Sequence, residues 1–539
     1  MDIIMKQTLF TNATIHTMNP GYSHARSFVC HNDIIRGLDV SAEKKTEPTE
    51  RIDLAGGFVL PGLTDSHVHL LMFAETLITA NLTASVSEQH AVEMLKSWAD
   101  THDVKPGQWI RGRGWAINRW TPDRMPTCES LDRFFPDNPV YLSSQCGHLI
   151  WVNSAALQAA GIKSVSRESL EQWGDQITFG NDGTPTGLLS EAAEDLVFNV
   201  IPPISQEQQS SLLRKAITHF NHLGILSVHD MESFNALDVV LSLLQSSPRF
   251  TMRIAFYIQT EDFDRLEKTA RDVNSDPKIR EYISVEGVKF FVDGSLGGRT
   301  AWMDAPYDSD PANTGICVND AQHLFPLVYE ANKRGLCAAV HAIGDRAVKE
   351  ILTVYGHVAE KLKTERMPPV KNRIEHFQLI NKEILELTAE IQPIVAMQPI
   401  HLPCDWHAAD IHWGKRSRWA YAFASVLKTG SCMMFGSDAP VESPNPWEGL
   451  QAAVTRQDFQ GQPEGGWYPE EKISVSNALM CYTAYPAQGI RLNNTGSIKP
   501  GNKADFVVVT KEPMTEAAEA LHRLEPSAVY FDGEKVVGQ

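Results

Sequence analysis

Three absences narrow what this chain does. No stretch approaches 18 consecutive apolar residues, which excludes a bilayer-spanning helix, and Met1-Asp2-Ile3-Ile4-Met5-Lys6 lacks the basic start and apolar core of a secretion signal. A cytoplasmic location is expected. The eight cysteines form no Cys-x-x-Cys pair, so neither a zinc ribbon nor a dithiol redox motif is present, and reduced, mostly buried thiols are expected. Positive charge is scarce: 48 Lys and Arg stand against 66 Asp and Glu, a net charge of −18. A nucleic-acid groove or an anionic membrane would need a concentrated basic surface, so neither is an expected partner. A small-molecule substrate is, and the oligomeric state stays open, a homodimer among the options.

What is present is an ordinary globular composition, 43% hydrophobic and 21% charged, on 539 residues. That length allows two or three units, or one large barrel with additions. The first sixty residues read as short strands, with alternation over Thr8 to Met18 and again at Arg51 to Leu54; the last forty read alike, with a strand at Ala504 to Thr510 and a hairpin through Asp532-Gly533. Each end is too small to bury a core alone, so the two are expected to share one β-sandwich. Between them, eight apolar runs alternate with helical stretches, the pattern of a parallel sheet. They are Phe58 to Leu63, Ile225 to Val228, Arg253 to Tyr257, Val285 to Val292, Cys337 to Val340, Arg373 to Ile374 with His376, Ile394 to Met397, and Cys432 to Phe435. The expected fold is an α/β (β/α)8 TIM barrel over residues 61–484, flanked by sandwich parts at 1–60 and 485–539. The long first gap predicts a large insert after strand one, about 105–215, rich in tryptophan. With the tryptophan-bearing segment from Gln398 to Trp419, it is expected to close the barrel mouth around an apolar or aromatic substrate part.

The chemistry-bearing residues gather where such a barrel keeps its active site, at the C-terminal ends of the strands. His67 and His69 lie two apart, which on a strand turns both imidazoles to one side. Taken alone the pair also suits a surface or a satisfied core. His341, His376 and Asp438 then end three further strands, and five such residues at strand ends point to a metal site. Lys289, inside the apolar run Gly287 to Val292, needs a reason to be there, because burying an ammonium without a partner is costly. One reason is an ion pair with Asp293; the other is carboxylation of the amine, which makes an anionic ligand bridging two metals.

The ordered set His67, His69, Lys289, His341, His376 and Asp438 resembles the amidohydrolase superfamily. Longer stretches, Leu60 to His69, Trp151 to Leu157, Val288 to Gly294, His341 to Asp345, Gly436 to Val441 and Gly496 to Asp505, are similar to its N-substituted formamide deformylase-like branch, amidohydrolase family 3. The resemblance spans nearly the whole chain. It implies the sandwich of both termini and a divalent metal, zinc first, as one or two ions on those six residues. With one ion, the ligands are His67, His69, a further histidine and Asp438, and Lys289 holds a substrate or a carboxylate instead. Asp438 is the expected proton acceptor for the attacking water. Glu191, His229, His148, His401 and Arg418 are the candidate substrate-binding residues. The expected reaction is hydrolysis of a non-peptide, amide-type C–N bond in an N-substituted amide or formamide. Esters, lactones or cyclic amides on the same site are the alternative, and a non-catalytic scaffold on the same fold is a second.

Overall fold

Buried runs separated by amphipathic helices fold into eight parallel strands that pair in chain order. The computed structural model describes residues 7–39, 49–117, 120–122, 124–145, 149–163, 165, 167–491 and 494–538. The strands are β1 (Leu63–Val68), β2 (Ile225–Asp230), β3 (Arg253–Gln259), β4 (Ile283–Phe291), β5 (Cys337–Ala342), β6 (Arg373–His376), β7 (Ile394–Met397) and β8 (Cys432–Phe435). A parallel bridge from Val68 to Ala439, with the His69 amide donating to the Ala439 carbonyl at 2.8 Å, draws the ring together between β8 and β1. The expected parallel barrel is present. Helices cover it through apolar stripes: Phe263–Ser275 buries Leu266, Ala270 and Val273, and Asp262 caps it by accepting from the Arg265 amide at 3.0 Å.

The first barrel strand is not where the sequence suggests. Phe58–Pro61 pairs with Phe506–Val509 and Thr14–His16 in another sheet, and β1 begins only at Leu63. One apolar run therefore serves two sheets. Gly62 is the joint: a Cβ there would lie 2.8 Å from Leu226 Cδ1 and 3.1 Å from its Cβ, so a larger residue would have to push the Leu226 side chain aside. His67 consequently lies within β1, not beyond it.

Both chain ends build the second layer. A six-stranded sheet takes Glu534–Val537, Pro526–Phe531 and Phe506–Val509 from the C-terminal side and Phe58–Pro61, Thr14–His16 and His24–Ala25 from the N-terminal side. A four-stranded sheet is wholly N-terminal, and Phe10, Phe28, Phe506 and Tyr530 share the core, with stacked rings at 4.8 Å (Phe10 and Phe28) and 4.4 Å (Phe506 and Tyr530).

Met72–Leu212 forms a unit of its own with a mixed six-stranded sheet. Three of its tryptophans belong to its own core. Trp115, Trp120 and Trp151 interlock inside this unit's core, with ring centroids 5.4 to 6.0 Å apart. Trp413, from the segment after β7, is likewise fully buried. Large aromatic side chains bury the most apolar area per residue, and core packing claimed these. Among the described residues every cysteine is free, but only Cys30 and Cys481 are core residues, and Cys317 and Cys404 are exposed. No described helix is long and apolar enough to cross a membrane.

Candidate metal centre

Strand alternation and barrel register bring distant residues to one place. In the register, His341 stands beside Glu375 and Ala342 beside His376 across β5 and β6, and Lys289 stands beside Ala339 across β4 and β5. His67 Nε2 lies 3.4 Å from Asp438 Oδ1, and His69 Nε2 reaches the same oxygen at 3.3 Å. The His376 ring is 5.0 Å from that of His67 and 4.4 Å from that of His341. Lys289 Nζ lies 3.5 Å from His67 Nε2. Ligand atoms of His67, His376 and Asp438 all fall within 4.8 Å of one another.

Two of these residues hold unusual backbone conformations. His376 (φ 71°) and Asp438 (φ 61°) lie in the left-handed region, which costs a non-glycine residue on the order of 1–3 kcal/mol. The surroundings enforce it at Asp438, whose amide donates to the His67 carbonyl at 2.7 Å. Asp65 fastens the same loop to β1, accepting from the Ser437 amide (2.9 Å), the Ser437 hydroxyl (2.5 Å) and the His67 amide (3.1 Å). Gly436 lets the two segments approach, since a Cβ there would lie 2.5 Å from the His67 nitrogen.

The donor set suits a divalent cation. A tetrahedral ion with bonds of roughly 2.1 Å holds its ligand atoms about 3.4 Å apart, the length of the His67–Asp438 and His69–Asp438 separations. Protonation agrees. Burial, with the nearby Lys289 charge, pushes His67 and His341 down to about 4, and burial beside His341 lowers His376 as well. Burial alone would raise Asp438, but the surrounding histidines outweigh it and hold the carboxylate well below its usual range. Neutral imidazoles and an ionised carboxylate are the forms in which these side chains bind metal. Burial brings Lys289 down to about 8 against the pull of Glu375 and Asp438.

The Lys289–Asp293 ion pair expected from alternation is not formed among the described residues. Asp293 instead accepts from the backbone amides of Ile343 (3.0 Å), Gly344 (2.8 Å) and Trp302 (2.8 Å), tying together the turns that follow β4 and β5. Of the candidate substrate residues, His401 borders the cluster, its Nε2 3.2 Å from the Ser437 carbonyl and its ring 6.4 Å from His376. His229 is fully buried and bonded through Nδ1 to Arg373 at 2.9 Å. Arg418 is exposed, its guanidinium 5.5 Å from the Trp419 ring, and is not brought to the donors. Glu191 is exposed in the Met72–Leu212 unit, heading a short helical turn with φ 49°. His148 lies outside the described residues.

Two residues not singled out in the sequence, Arg373 and Glu375, belong to the centre. Glu375 Oε2 is 2.6 Å from His67 Nδ1, and Arg373 grips Glu375 through Nε (2.5 Å) and Nη2 (3.0 Å) while also donating to the Ser66 carbonyl at 2.7 Å. Burial would raise Glu375, but Arg373 and His67 overcome it and keep the carboxylate well below its ordinary value. The signal was legible: two opposite charges, two positions apart, in a four-residue buried strand.

Fold and donor set together define a (β/α)8 barrel with a metal-type site at its strand ends. A family model described as the amidohydrolase family matches residues 50–537, and the chain belongs to that family of hydrolases. It is 32% identical over 537 residues to the putative amidohydrolase YtcJ of Bacillus subtilis (strain 168), covering 97% of this chain and 98% of that one. It is 24% identical over 546 residues to the N-substituted formamide deformylase of Arthrobacter pascens, covering 98% of each. The crystal structure of an uncharacterised metal-dependent hydrolase from Pyrococcus horikoshii OT3 superposes with a TM-score of 0.77 at 26% identity, over 96% of this chain and 99% of the other.

Proposed function

We propose that this chain is a metal-dependent hydrolase of a non-peptide, amide-type C–N bond, with N-substituted amides or formamides as its substrate class. The observation that carries the reading is the buried trio His67, His376 and Asp438, with ligand atoms within 4.8 Å of one another. His67, His69, His341, His376 and Asp438 are the proposed ligands, for zinc first. The deformylase of Arthrobacter pascens supports the substrate class by its name, and the Pyrococcus horikoshii hydrolase supports metal dependence.

A divalent ion held there would bring the pKa of a coordinated water to roughly 7 and polarise a carbonyl. The protein's own part is proton handling and exclusion of bulk water. Asp438, ionised and 3.3 to 3.4 Å from two imidazoles, accepts the proton of the attacking water and returns it to the leaving nitrogen. Support for a substrate-side role is best for His401, at the rim of the cluster. Lys289 adds an anionic ligand once its amine attacks carbon dioxide, forming an N–C bond and releasing one proton. Its burial, with a pKa lowered to about 8, raises the fraction of neutral amine that this step needs.

The reading is tested on zinc-loaded enzyme with N-substituted formamides and amides beside esters, lactones and cyclic ureides of matched size, with metal content measured by mass spectrometry. Turnover of esters or lactones alone would move the substrate class. Purified protein without zinc, iron or manganese, and inert after loading, would favour a scaffold. Lys289→Ala should lose activity that a short-chain carboxylic acid partly restores, and electron density ending at a bare amine in a metal-loaded crystal would remove the carbamate.

A further inference from the structure

A neutral imidazole offers a metal only the nitrogen that carries no proton, so something must decide which nitrogen of His67 that is. Resting on the reading of His67 as a ligand, we propose that Glu375 is a positioning residue that fixes the tautomer and aim of His67, and that Arg373 holds Glu375 for that task.

The geometry leaves one assignment. Glu375 is fully buried and gripped at two points by Arg373, a group that cannot accept a proton, so its carboxylate is ionised and acts only as an acceptor. The proton between Glu375 Oε2 and His67 Nδ1, 2.6 Å apart, therefore belongs to Nδ1. The bare lone pair is left on Nε2, the atom that faces Asp438 Oδ1 at 3.4 Å and Lys289 Nζ at 3.5 Å. The same guanidinium produces the opposite result at His229. There Arg373 Nη1 donates directly to Nδ1 at 2.9 Å, so the proton of that neutral imidazole sits on Nε2, a buried atom with no partner among the described residues. One arginine thus prepares His67 as a ligand, through a carboxylate, and His229 as a hydrogen-bond donor, by direct contact. It also donates to the Ser66 carbonyl, one residue before His67, which anchors the assembly to the strand it serves.

Outer-layer partners of metal-binding histidines are worth roughly 10- to 100-fold in metal affinity. Glu375→Gln should weaken zinc affinity by about that factor, read by competition with a chromophoric chelator, because the amide can donate to Nδ1 and favour the tautomer that cannot ligate. Glu375→Asp should recover part of the loss. The double variant Arg373→Met with Glu375→Gln, which leaves no unpaired guanidinium, should bind as weakly as Glu375→Gln while remaining folded by circular dichroism. Neutron diffraction from metal-free wild-type crystals in heavy water should place deuterium on His67 Nδ1, a result independent of how any variant folds. Deuterium on Nε2 would overturn the proposal, as would zinc affinity within about threefold of wild type in both Gln variants. His67→Asn separates the two readings. If it too binds zinc as wild type does, the ligand assignment has failed; if it loses zinc while the Glu375 variants do not, only the positioning role has.

Discussion

Arg253 and Arg373 each open a strand of the same barrel, each is essentially unexposed, and each is paired with carboxylate, yet the two networks end differently. Arg253, on β3, binds Asp505 at 2.8 and 3.2 Å and Asp532 at 2.5 Å, and Lys503 completes the group through Asp33, Glu281 and Asp532. Charge there is answered by charge, and the network joins the barrel strand to the terminal sandwich. Asp33, Glu281 and Asp532 also come close enough to hold an ion, but the Lys503 ammonium bonds to two of them and lies 3.5 Å from the third. Arg373, on β6, passes its charge through Glu375 to an imidazole whose other nitrogen faces the donor cluster. A buried ionic group is therefore weak evidence of function by itself; what matters is whether the chain of partners closes on itself or ends in a cluster of ligand atoms.

The sharpest way to break the comparison is to remove the open end. His67→Asn with His69→Asn should abolish metal binding and activity together while leaving the barrel folded, checked by metal analysis and circular dichroism. Wild-type metal occupancy in that variant would mean that the open network is as structural as the closed one.

Attacking the closed network should do the reverse. Arg253→Ala takes the guanidinium from Asp505 and leaves Asp532 only the Lys503 ammonium at 3.5 Å, and losing one partner of a buried pair costs roughly 3–5 kcal/mol. Chemical denaturation should register that loss, and the fraction still folded should keep its full metal content. A fall in metal content without a fall in stability would erase the distinction between the two ends.

Asp438→Asn probes the chemistry rather than the site's existence. It should retain the fold and much of the metal, yet lose turnover by on the order of 10² or more, because an amide of the same shape cannot accept the proton. Near wild-type turnover at full metal occupancy would send the proton to another group, with His401 the next to test.

The smallest effect concerns acid. Metal competes with protons for imidazole, and His67 and His341 take protons only near pH 4, well below the ordinary value of 6.5. As pH falls, retained metal should stay level from neutrality to about 5 and drop as pH approaches 4, which dialysis against metal-free buffers would follow. Loss that begins already near 6.5 would show that protonation of His67 and His341 does not govern metal release.

Sequence alone determined what depends on local pattern. Apolar runs and turn residues located β7 and β8 to the residue, put strands at both termini, and set His67, His341 and His376 at or near the ends of barrel strands, because alternation is a property of the chain itself. Only tertiary structure decided the rest. Alternation says which face a side chain takes but not which partner it meets, and His67 meets Glu375 across 308 positions through pairing that spans the barrel. The left-handed turns at His376 and Asp438 arise from how the strand ends are held; histidine and aspartate enter that region more readily than most residues, but identity alone does not place them there. Trp115, Trp120 and Trp151 of the insert went to its core, since composition counts large apolar groups without saying what will cover them. The sequence named the metal-binding candidates; long-range packing chose which nitrogen of His67 faces them.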